Sequence, residues 1–209
     1  MIKIVKQRDI LTKSEVLDLI NNARSFKMQL VIETMVSTGM RVSELINFKI
    51  NWINFKDRII HIKKNNEPIA WEPKRGSERR VPVNEDLLSK LKKFIKNRKT
   101  GYVFQSQKSS VNGRRTHHRY SYRSIIKKIN NLTNKVLGKQ TGSHILRATY
   151  TTYQLKDGMN ILDVKKLLGH SSLKTTERYI GNLPNLHSFE KARASEIMNI
   201  KYSIKKENE

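Results

Sequence analysis

Leu168-Gly169-His170-Ser171-Ser172-Leu173-Lys174-Thr175-Thr176-Glu177-Arg178-Tyr179 sets a tyrosine nine residues after a histidine. Upstream lie His144-Ile145-Leu146-Arg147 and Thr38-Gly39-Met40-Arg41. Two arginines, two histidines and a tyrosine suit chemistry at a phosphate diester without a metal. Guanidinium groups neutralise charge that builds on a pentavalent phosphorus, and a phenol attacks it. Each short motif is weak by itself. The ordered set, with Lys74 ahead of a strand-like Arg80-Val81-Pro82-Val83, carries the reading.

Outward from these motifs the chain reads as mainly helical with one small antiparallel sheet, an α+β architecture. Thr12-Lys13-Ser14-Glu15 forms a capping box that opens a helix from about Thr12 to Asn22. A second helix covers about Lys27 to Ser37, and Gly39 ends it. Arg41 then opens a short helix whose Val42, Leu45 and Ile46 face the core, so the turn holds Arg41 rigidly. Short β-rich runs follow: Ile59-Ile60-His61-Ile62, Pro68-Ile69-Ala70-Trp71 and Arg80-Val81-Pro82-Val83. Helical spacing returns at about Asn84 to Asn97, with Leu87, Leu88, Leu91 and Phe94 on one side, and again at about Tyr120 to Leu137. Four further helices are predicted at roughly His144 to Lys156, Asn160 to Leu168, Leu173 to Ile180 and Leu186 to Tyr202. Residues Lys205 to Glu209 read as a frayed end.

Composition bounds the partner. The 209 residues carry 42 Lys plus Arg against 18 Asp plus Glu, a formal charge of +24, and a pI near 10.3. That excess exceeds what solubility asks of a small domain and points to a polyanion. It is also local: Leu87 to Lys156 holds 17 Lys or Arg and no Asp or Glu. Such a block faces phosphate, although any nucleic-acid binder would share it. Cysteine is absent, which excludes a disulfide framework, a thiol nucleophile and Cys-based metal sites. The N-terminus meets charge too early for a signal peptide, and no apolar run is long enough for a membrane span. These features read as a cytoplasmic protein.

Taken together, the motifs closely resemble the catalytic domain of tyrosine recombinases, the family of phage integrases and chromosome-dimer-resolving enzymes. The resemblance covers about residues 11 to 202. It implies residues 1–10 as a lead, 11–181 as the catalytic domain and 182–209 as a tail helix that packs either into a neighbouring protomer or as a lid on its own core. It further implies a reaction that cuts and rejoins DNA through a 3′-phosphotyrosyl intermediate with no metal, no ATP and no cofactor. Tyr179 matches the nucleophile. A phenol of pKa about 10 attacks poorly at neutral pH without a base, and His144 matches the residue given that acid/base role. Arg41 and Arg147 match the arginines that grip the non-bridging oxygens, and His170 matches the second histidine on the phosphate. Lys74 matches the lysine that protonates the leaving 5′-oxygen, with Arg75, Arg79 and Arg80 as close rivals. Glu44 fits the Arg-x-Ser-Glu-Leu pattern, and its expected job is to pair with a cation and orient the arginine turn. Arg75, Arg79, Arg114, Arg115, Arg119 and Arg123 are the expected DNA-contacting cations. The implied partners are double-stranded DNA, a homotetramer on paired DNA sites and an accessory DNA-bending protein, with no membrane.

Two departures stand beside the matches. The family often has a histidine directly after the second arginine, where this chain has Ala148. Most members carry a separate N-terminal helical domain that clamps the other face of DNA, which makes this chain either a fragment or a short form resembling the fimbrial-switch enzymes. A type IB topoisomerase, which nicks and reseals one strand, is the runner-up within the same chemistry. A non-catalytic DNA-binding protein of the same fold is the alternative from another class. A two-metal nuclease fits less well, because such sites need clustered carboxylates.

Overall fold

The capping box at Thr12 forms as written: Thr12 Oγ1 accepts from the Glu15 N–H at 3.2 Å, and the Thr12 N–H donates to Glu15 Oε2 at 2.9 Å. It starts α1, Lys13–Asn21. The computed structural model describes residues 10–66, 70–74, 77–109, 115–138, 142–177 and 179, with the side chains of 107–109 and 115–117 outside the description. Ser25 caps α2, Phe26–Thr38, which ends on Gly39 at φ +62°. Two requirements make that position glycine. The backbone is left-handed, and an added Cβ would stand 2.5 Å from the Tyr150 ring. The chain reverses there and enters α3, Val42–Ile46, with Arg41 at the N-cap.

A three-stranded antiparallel sheet follows, in the order β1 (Ile53–Asn54), β2 (Ile59–Ile62), β3 (Arg79–Pro82). Ile60 pairs with Val81 and Ile62 with Arg79, so the buried face carries Ile60, Ile62, Val81 and Arg79. His61 and Arg80 pair on the opposite face. The first strand is Ile53–Asn54, which the sequence did not suggest, and in the expected run at 68–71 the described residues, Ala70 and Trp71, add no strand. Trp71 forms only an isolated bridge with Asn65, while Pro68 and Ile69 lie outside the described residues.

The helix α4, Glu85–Ile95, is capped by Asn84 and buries Leu87, Leu88, Leu91 and Ile95. A two-stranded hairpin, β4 (Gln105–Ser109) with β5 (Arg115–Arg119), leads to α5, Tyr122–Leu137. The sequence reading missed this hairpin, since Gln-Ser-Gln-Lys-Ser against Arg-Thr-His-His-Arg has no apolar alternation to announce it. Then come α6 (His144–Lys156), α7 (Ile161–Leu168) and α8 (Lys174–Glu177). The last was expected to reach Ile180, which lies outside the described residues, as do the expected tail helix at 186–202 and all of the 1–10 lead except Ile10.

Phe48, Trp52 and Phe104 meet at the centre of the main core, with ring centroids about 6 Å apart. Each fully buried apolar side chain of this size contributes roughly 1.5–3 kcal/mol. Helix α6 is the axle: Ile145 through Thr152 are all buried, and Thr149 Oγ1 accepts the Leu11 N–H at 2.9 Å, tying the start of the fold to it. A second apolar cluster joins Tyr150 and Leu155 of α6 to Val164 and Leu168 of α7, and Tyr179 packs against it. No helix among the described residues is long and apolar enough to cross a membrane.

Candidate active site

Glu44 is the knot of the site. Its side chain is 0% exposed. Arg79 forks onto it, Nη1 donating to Oε1 at 2.9 Å and Nη2 to Oε2 at 2.7 Å, while Arg41 Nη1 donates to Oε1 at 2.9 Å. Arg147 Nη1 stands 3.9 Å from Oε2. Burial alone would raise the Glu44 pKa, but the hydrogen bond and charge of Arg79, with Arg147 and Arg41, hold it below the ordinary carboxylate range. One carboxylate thus meets three guanidiniums, leaving a local excess of two positive charges in a half-enclosed setting.

The same three arginines close the end of α7. The Lys165 and Lys166 carbonyls accept the His170 and Gly169 N–H groups, and each of the next three carbonyls takes one guanidinium. Arg79 Nε donates to Leu167 O at 2.6 Å, Arg147 Nη2 to Leu168 O at 2.6 Å, and Arg41 Nη2 to Gly169 O at 3.5 Å. Arg147 Nη1 also donates to Gly39 O at 2.5 Å, so it lies between the C-terminal ends of α2 and α7, where the helix dipoles are negative. Burial first, then the like charge of Arg41, pulls the Arg147 guanidinium down to about 9, with Glu44 and Tyr179 acting the other way. It stays protonated at neutral pH. Arg41 is the open member, its side chain 26% exposed. Gly169, at φ +62°, has no room for a side chain, because a Cβ would lie 2.8 Å from Ser77 Oγ and 3.2 Å from Arg79 Nη1.

His170 follows directly, its Nδ1 2.9 Å from the Thr176 hydroxyl. Burial, then Arg147, Arg41 and Arg79, pushes its pKa down to about 3, so the imidazole is neutral. Tyr179 is half-buried, rests on the α6–α7 cluster, and its phenol is close enough to act electrostatically on Arg147. The structure therefore brings Arg41, Arg147, His170 and Tyr179 together.

Lys74 and His144 are placed differently. Both are exposed, and neither is hydrogen-bonded to the arginine cluster among the described residues. His144 is the first residue of α6, one turn above the buried Arg147. Lys74 is linked to the site through its loop: Ser77 Oγ donates to Lys74 O at 3.0 Å while Ser77 abuts Gly169.

Arg79 corrects the sequence reading. It was expected on a DNA-facing surface, but its side chain is 4% exposed and spent on Glu44. Strand parity held the signal, since Arg79 is two residues from the inward Val81 and shares its face, whereas Arg80 is exposed. Arg119 is half-buried and donates to Asn47 Oδ1 at 2.9 Å. Arg123 is exposed. Arg75 and Arg114 lie outside the described residues, as does the side chain of Arg115. Glu44 does what its motif suggested, on three arginines rather than one. Thr176 went unremarked in the sequence, because a threonine in a polar turn gives no sign of its partner.

Comparison with known proteins agrees with this geometry. Residues 9–185 match the model of the phage integrase family. The tyrosine recombinase XerA of Pyrococcus horikoshii is 28% identical over 171 residues, which is 81% of this chain and 55% of that protein. The chain thus spans about half the length of the curated relatives it matches. Among solved structures, the Tn1549 transposon integrase in complex with circular intermediate DNA superposes with a TM-score of 0.66 at 22% identity, covering 92% of this chain and 68% of that one. The catalytic domain of bacteriophage HP1 integrase gives 0.54 at 22% identity, covering 87% and 93%. With the match spanning the arginine knot, the Gly169–His170 turn and Tyr179, the chain belongs to the phage integrase family, whose fold the two solved structures share.

Proposed function

We propose that this chain carries the catalytic centre of a site-specific DNA recombinase that cleaves and rejoins strands through a 3′-phosphotyrosyl intermediate. The observation that carries the proposal is the cluster of three arginines on a single buried carboxylate, with a neutral His170 and Tyr179 beside it. Arg41 and Arg147 are each fixed by two hydrogen bonds and keep further N–H groups to donate, so their positive charge is preorganised for an anion and needs little rearrangement when charge develops.

In the reaction, the Tyr179 oxygen bonds to phosphorus and the bond to the 5′-oxygen breaks. His144 takes the phenolic proton and Lys74 supplies one to the departing 5′-oxygen. Arg41 and Arg147 bind the non-bridging oxygens, and His170 donates a further hydrogen bond. Attack by a 5′-hydroxyl on the phosphotyrosyl bond reverses the step and rejoins a strand, so bond energy is conserved without ATP, metal or cofactor. Duplex DNA is the partner, gripped by cations of the Leu87–Lys156 stretch, the exposed Arg123 together with Arg114, Arg115 and Arg119, and by Arg75. Four copies act on paired sites in the cytoplasm, with 182–209 joining protomers and a DNA-bending protein assisting.

The test is a nicked suicide substrate carrying candidate attachment sites, incubated in EDTA without ATP. The parent protein should form an SDS-stable adduct and Tyr179→Phe should not. An adduct in Tyr179→Phe, or strict magnesium dependence of cleavage, overturns the assignment.

A further inference from the structure

Thr176 is fully buried, and the hydrogen bond of its hydroxyl runs to His170 Nδ1 at 2.9 Å. Two other buried threonines spend the hydroxyl proton along their own helix, whereas Thr34 and Thr152 leave theirs without a partner among the described residues. Thr38 Oγ1 donates to Thr34 O at 2.6 Å and Thr151 Oγ1 to Arg147 O at 2.8 Å. Among the described residues the Thr176 hydroxyl makes its hydrogen bond to His170 alone, and the Leu173 and Ser172 carbonyls behind it accept main-chain N–H groups only.

The direction of the Thr176–His170 bond follows from what each group must satisfy. A neutral imidazole has one N–H and one bare nitrogen, and the bond made by one ring nitrogen decides which form the other takes. If Nδ1 carried the proton, the Thr176 hydroxyl would accept and its own buried proton would have no acceptor among the described residues, an arrangement folded proteins mostly avoid. If Nδ1 is bare, the hydroxyl proton is satisfied and Nε2 carries the N–H. A phosphate oxygen only accepts, so the second form alone adds a donor beside Arg41 and Arg147.

We propose that Thr176 is a positioning residue whose hydroxyl donates to His170 Nδ1 and holds the imidazole in its neutral Nε2–H tautomer, ready to donate to a phosphate oxygen. This deepens the recombinase reading and rests on it for its purpose. The depressed basicity of His170 agrees with an imidazole that is neutral throughout the working pH range.

The tautomer is read in the DNA-free full chain, labelled with ¹⁵N, by long-range ¹H–¹⁵N correlation, with the His170 signals identified by their loss in His170→Gln. Wild type and Thr176→Ser should show Nε2–H. Thr176→Val should gain the Nδ1–H form and form the covalent adduct about 10–100-fold more slowly, with DNA affinity unchanged and the rate restored in Thr176→Ser. An Nδ1–H tautomer in wild type overturns the inference, as does an unchanged tautomer in Thr176→Val. The wild-type spectrum is decisive even if Thr176→Val fails to fold. An Nε2–H spectrum from a protein that forms no adduct at Tyr179 supports the Thr176 contact while overturning the recombinase reading, so the two can fail separately.

Discussion

Arg147 and Lys74 serve one phosphate in the proposed reaction, yet the fold treats them in opposite ways. Arg147 is buried, donates to two helix-end carbonyls and stands beside Glu44. Lys74 is exposed on the loop before β3. The groups that stabilise charge are also structural groups, whereas the candidate proton donor is not. Electrostatic stabilisation benefits from rigidity, because dipoles fixed in advance need no reorganisation. A general acid needs only hydrogen-bond reach of the leaving oxygen when that oxygen is present. Substitutions should therefore separate the two halves by their effect on stability.

The largest effect is expected at Glu44. Glu44→Ala leaves three guanidiniums facing one another without their carboxylate and should cost about 3–5 kcal/mol, as breaking a buried ion pair does. Urea or thermal denaturation measures it, and a loss below about 1 kcal/mol would break the contrast by showing that the knot carries no structural weight.

Acid should act next, through the same half of the site. The folded-state pKa of His170, about 3, lies below the ordinary value near 6.5. As pH falls below about 6.5 the unfolded chain takes up a proton that the native protein refuses, so stability declines from there down to about 3. His61 shifts in the same direction, through burial and then Lys63 and Arg80. Glu44, held below the usual carboxylate range, adds a further loss below about 4.5, where the carboxyl of the unfolded chain takes up a proton that the buried carboxylate still refuses. Denaturation midpoints across this range should slope downward, and His170→Gln should flatten the upper part. An identical slope in that variant would show that His170 is not the group responsible.

The smallest structural effect is expected at Lys74. Lys74→Ala should leave stability within about ±0.5 kcal/mol, as exposed substitutions usually do, while lowering adduct formation by roughly 10²–10⁴, the span of general acid–base catalysis. Equal losses of stability and rate would put Lys74 with the buried arginines.

Much of this was legible in residue order. The capping box at Thr12, the glycine stop at Gly39 and the apolar face of α4 involve groups a few residues apart, and local hydrogen bonds and helical spacing decide them. The β4–β5 hairpin was not legible, because its strands are polar on both faces and only their pairing defines them. The Arg79 side chain was misplaced for a related reason: a run of charge reads as surface until a strand register turns alternate residues inward.

The sequence by itself determined the family's ordered residues and a strong basic excess, since both are properties of the chain rather than of its shape. Only the tertiary structure decided what those residues do to one another. Arg41, Arg79 and Arg147 lie far apart in the chain, and nothing in their spacing says that Glu44 and three successive carbonyls at the end of α7 will gather them. That outcome depends on burying one carboxylate where three cations can reach it, and burial is settled only when the helices pack.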